Sequence, residues 1–71
     1  MSIQTVGEVS GEVILDNGDA YPFVARITDD DGYVTDVDFI YRSWDDDHPH
    51  ERALTARARV KARMLWFKYT G

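Results

Sequence analysis

Two short runs restrict the N-terminal part of this chain to a meander. Leu15-Asp16-Asn17-Gly18-Asp19 and Asp29-Asp30-Asp31-Gly32-Tyr33 each set Asp, then Asn or Asp, then Gly between segments in which apolar and polar residues alternate. Alternation with period two marks a half-buried strand, and an Asx-Gly pair between two such strands marks a hairpin. Three antiparallel strands follow, over about 7–15, 20–28 and 33–42.

The apolar pattern also selects the register. A two-residue turn at Asn17-Gly18 would put Val13 and Leu15 on the opposite face from Tyr21 and Phe23. A three-residue loop closed by Gly18 in the left-handed region pairs Val13 with Tyr21, Gly11 with Phe23 and Val9 with Ala25, which unites the apolar set on one face. The same loop at the second turn pairs Ile27 with Thr35, Ala25 with Val37, Phe23 with Phe39 and Tyr21 with Tyr41. The expected core face is Val9, Val13, Tyr21, Phe23, Ala25, Ile27, Val37, Phe39 and Tyr41. The other face carries Glu8, Glu12, Asp36 and Asp38 around Ile14, Val24 and Ile40, with Arg26 between Glu8 and Asp36. Pro22 lacks an N–H in the central strand, so a bulge or late pairing is expected beside it.

Asp45-Asp46-Asp47-His48-Pro49-His50-Glu51 reads as a helix start, with an Asp as N-cap acceptor, Pro49 in an early position and acids near the positive end of the dipole. The helix is expected over about 49–68, ended by Thr70 and Gly71. At 100° per residue it has two apolar stripes. Leu54, Ala58, Ala62, Leu65 and Tyr69, with Trp66 at the margin, form one, and Ala53, Ala56, Val60, Met64 and Phe67 form the other. Arg57, Lys61 and Lys68 separate them on one side, and Arg52, Arg59 and Arg63 on the other. One small sheet covers one stripe. The second is covered by the arm Met1–Val6 and Trp44, by another copy through Ala56, Val60, Met64 and Phe67, or by a foreign partner, or is left partly exposed. The reading is one α+β domain, residues 1–71, a three-stranded meander with a C-terminal helix on one face (βββα).

Seventy-one residues without cysteine leave neither disulfide nor thiolate metal site to support a core that supplies roughly 3–5 kcal/mol. No cofactor or metal is expected. The positions before Gly32 do not follow the calcium-loop spacing, and His48 and His50 do not share a helix face. No nucleophile motif or phosphate-cradling loop occurs, so the chain is read as not an enzyme. The absence of a basic leader or long apolar run points to a cytoplasmic protein without membrane contact, in the host cytoplasm if phage-encoded.

Charge is divided along the chain. Residues 1–48 hold two basic and twelve acidic side chains, and residues 49–71 hold six basic and one acidic, for a net charge of −5. The acidic part supplies a candidate surface for a protein partner, Glu12, Asp29, Asp30, Asp31, Asp36 and Asp38. In size and charge the chain resembles small acidic phage and plasmid inhibitors of host enzymes, a likeness that no motif carries. The expected function is a non-catalytic protein–protein interaction module, an inhibitor or modulator of a larger host protein that also forms a homodimer through the helix. The alternative is a DNA-binding module using Arg57, Arg59, Lys61 and Arg63, disfavoured by the acids elsewhere.

Overall fold

The computed structural model describes residues 4–30 and 34–70. Strands β1 (Gln4–Ile14), β2 (Ala20–Asp30) and β3 (Val34–Arg42) form an antiparallel sheet in the order β1-β2-β3, followed by helix α1 (Glu51–Thr70) on one face. This is the βββα arrangement expected from the pattern.

The first hairpin closes on a three-residue loop. Gly18 N–H donates to Leu15 O (2.9 Å), Leu15 N–H donates to Asp19 O (3.0 Å), and Gly18 sits at φ +90°. Only glycine adopts that conformation without steric cost. Asn17 Oδ1 accepts from Asp19 N–H, which is why an amide side chain suits the position. Val13 pairs with Tyr21, Gly11 with Phe23 and Val9 with Ala25, as the face argument requires.

The second hairpin corrects the expected register. Ile27 pairs with Val37 and Ala25 with Phe39, two residues from the expected partners, because the ladder closes at Asp30–Val34. A shift of two preserves each residue's face. Arg26 consequently stands between Glu8 and Asp38 rather than Asp36. Beyond Ala25 the pairing slips by one more residue, so that Ile40 has no partner, Tyr41 pairs with Val24 and Arg42 with Phe23. This bulge turns Tyr41 away from the core, where it is 53% exposed, against the sequence expectation. It also turns Arg42 inward over the Phe39 ring, 5.9 Å from its centroid. Pro22 pairs late: its carbonyl accepts from Ser43 N–H just past the end of β3, so the donor it lacks faces a position with little ladder left to satisfy.

The entry to α1 also differs. Turns Asp45–His48 and His48–Glu51 lead in, and the first full helical bond is Leu54 N–H to His50 O. Pro49 occupies the second turn rather than the helix, a place its fixed φ suits. His48 Nδ1, not an Asp side chain, accepts from His50 N–H. The helix continues through Thr70.

Leu54, Ala58, Ala62 and Trp66 pack on Val9, Val13, Phe23, Ala25, Ile27 and Val37. The stripe containing Leu54 is therefore the one on the sheet. Trp44 is buried in the same core, with its ring 6.0 Å from Phe39 and its Nε1–H on Thr55 Oγ1. It does not cover the second stripe. Val6 is exposed within β1, and Met1 to Ile3 lie outside the described residues, as does the Tyr69 side chain.

Candidate functional site

The helix turns its second stripe to solvent. Ala53, Ala56, Val60, Met64 and Phe67 are all exposed, with Val60 at 55%, Met64 at 65% and Phe67 at 50%. Helical spacing aligns them, since three or four residues separate each from the next. Ala56, Val60 and Met64 line a shallow apolar groove bounded by Arg57 and Lys61. The expected self-association residues thus stand together on one surface.

The two basic rows have different surroundings. On the β3 side, Arg59 donates to Val37 O (2.9 Å) and lies 5.3 Å from the Phe39 ring centroid, while Arg63 donates to Thr35 O (3.3 Å). Both guanidinium groups are laid on β3, one of the two edge strands of the sheet. Arg57 and Lys61 lie on the other side of the stripe. The four residues of the nucleic-acid alternative therefore do not share a face. Sequence spacing showed two rows but not that β3 would take one of them, because that depends on which stripe the sheet covers.

The acidic candidates divide as well. Glu12, Asp36 and Asp38 are exposed on the sheet face away from the helix, beside Glu8. Asp29 faces the other way, and its Oδ2 accepts from Trp66 Nε1–H at 3.2 Å. Asp30 is partly buried at the end of β2, and Asp31 lies outside the described residues. The outward sheet face also has an apolar part that sequence reasoning only partly located. Ile14, Ile40 and Tyr41 are each more than half exposed around Val24 and Pro22, and the bulge brings Tyr41 there. Val6 lies on the same face nearer the other end.

A polar chain fastens the start of α1. Arg42 meets Asp46 (3.1 Å) and approaches Glu51 (3.9 Å), Thr55 Oγ1–H donates to Glu51, and Trp44 donates to Thr55. These contacts explain part of the Asp-rich run as structure. Among the described residues no three His, Asp or Glu side chains converge as a metal site, and no helix is long and apolar enough to cross a membrane.

No protein-family model, curated protein or solved structure matches the chain.

Proposed function

We propose that this chain is a non-catalytic protein–protein interaction module, a modulator of a larger protein or assembly, and that the outward stripe of α1 is its principal contact surface. The observation behind the proposal is the line of Val60, Met64 and Phe67, each at least half exposed on the helix side away from the sheet. Large apolar side chains grouped this way cost solubility and contribute nothing to the chain's own core, so a partner that covers them is the economical account. The engagement of Arg59 and Arg63 with β3 carbonyls favours this reading over a nucleic-acid surface, since it occupies two of the four cations that surface would use.

The test compares the natural chain with a Val60→Gln, Met64→Gln double variant by chemical crosslinking in an extract of the producing cell. In dilute solution the variant is expected to keep the natural far-UV spectrum and a melting temperature within about 5 °C, because exposed substitutions stay near neutral. Crosslinked adducts, with itself or with other proteins, should fall at least tenfold. Identical adducts, or a variant that unfolds, would refute the reading.

A further inference from the structure

Among the described residues, the exposed large apolar side chains fall on two outward faces. Val60, Met64 and Phe67 are on the helix, and Val6, Ile14, Ile40 and Tyr41 are on the sheet. The charges around the two patches are opposite. Arg57 and Lys61 border the groove on the helix, with Lys68 and Arg52 exposed farther along it, and Glu51 is the helix's one carboxylate. The sheet face carries Glu8, Glu12, Asp36 and Asp38 against the single cation Arg26.

Three pairings between copies bring apolar surface together. Helix against helix in a symmetric dimer sets Arg57 and Lys61 beside the same cations of its partner, with almost no acid to separate them. Sheet against sheet sets carboxylates against carboxylates. Helix against sheet alone combines apolar burial with opposite charge. It also repeats an arrangement the chain already uses, because a second helix on the bare face gives the sheet a layer on each side.

We infer that the partner of the helix stripe is the outward sheet face of a second copy, in a head-to-tail contact. This rests on the reading of the stripe as a contact surface and adds the identity of the occupant. A head-to-tail contact leaves one stripe and one sheet face free at the ends, so association continues into a ring or an open stack rather than stopping at a symmetric dimer. The contact weakens with added salt, since its charges lie at the rim.

The test mixes two variants, each with one face altered by neutral polar residues, so that neither acquires a new charge pairing. The helix variant is Val60→Gln with Met64→Gln, and the sheet variant is Ile14→Thr, Ile40→Thr and Tyr41→Thr. Solution mass is measured by light scattering over a concentration series, with circular dichroism to establish that each variant is folded. The natural chain is expected to rise above its single-chain mass of 8.2 kDa with concentration and to fall back as salt is added. Each variant alone should stay at the single-chain mass. Their equimolar mixture should double it, because the intact helix of one meets the intact sheet of the other. A sheet variant that still dimerises alone would establish helix-to-helix pairing and overturn the inference, as would a helix variant that dimerises alone. A natural chain that stays monomeric at millimolar concentration would also overturn it. In that case adducts with other proteins, lost in the helix variant, would leave the interaction-module reading standing with a foreign occupant.

Discussion

Two glycines on the inward side of β1 set how closely the helix approaches the sheet. Gly7 and Gly11 alternate there with Val9 and Val13, and each lies under a large helix side chain. A methyl group at Gly7 would overlap the Trp66 ring, and one at Gly11 would fall 2.9 Å from Leu65 Cδ1 and 3.1 Å from Phe23 Cζ. Trp66 has little freedom to move aside, being buried at 7% exposure and held by Asp29 through its indole N–H. Gly7→Ala is therefore expected to destabilise the fold by about 1–3 kcal/mol, the usual cost of overpacking, despite the better strand propensity of alanine. Urea denaturation followed by tryptophan fluorescence measures it. A variant as stable as the natural chain, with an unchanged emission maximum, would show that the helix seat tolerates a side chain. The feature was legible in principle, because glycine recurring on the inward parity of a strand signals close approach. Alternation alone identified the inward face of β1 but assigned no purpose to these two positions.

The two edges of the sheet are treated differently by the helix. Arg59 and Arg63 cover carbonyls along β3, and a covered edge resists adding a foreign strand. Arg59→Ala should cost about 1 kcal/mol for the lost hydrogen bond to Val37. Arg59→Lys should recover only part of that, because an ammonium lacks the planar group that both donates and lies over Phe39. Arg57→Ala, across the stripe, should stay within about 0.5 kcal/mol of the natural chain. Denaturation midpoints of the three variants decide the matter, and equal losses at Arg57 and Arg59 would mean that the edge contact contributes no stability. Element order, the first register and the two helix stripes followed from periodicity, because each rests on contacts local in sequence. The second register did not, since its loop admits more than one closure and period-two alternation carries no signal for the bulge at Ile40. Tyr41 and Arg42 exchanged faces for that reason. The stripe that packs on the sheet was also undetermined, because both are apolar and the contacts that fix the helix, Trp66 with Asp29 and Trp44 with Thr55, join different elements and leave no trace in helical periodicity.

The described residues form two layers, with the outward helix stripe and the outward sheet face both exposed, and the molecule is only 16 Å across in its shortest extent. Its core is one sheet face, one helix stripe and Trp44 from the connection between them, and a core of this size contributes roughly 3–5 kcal/mol of net stability. Leu54 is fully buried at its centre, and truncating such a side chain to alanine costs about 2–5 kcal/mol from lost transfer energy and the cavity left behind. Those ranges overlap, so Leu54→Ala is expected to leave much of the chain unfolded at 25 °C in dilute solution. Met64→Ala, one of the most exposed large apolar changes available, should leave the dilute chain as stable as before. Far-UV circular dichroism at low micromolar concentration separates the two stripes directly. Concentration adds a second criterion, because association that binds only the folded chain stabilises it by mass action. Raising the concentration should lift the melting temperature of the natural chain and should restore helix signal to Leu54→Ala. Met64→Ala should respond less than the natural chain, since Met64 lies in the stripe that association covers. A Met64→Ala chain that unfolds while Leu54→Ala stays folded would reverse the assignment of core and contact surface.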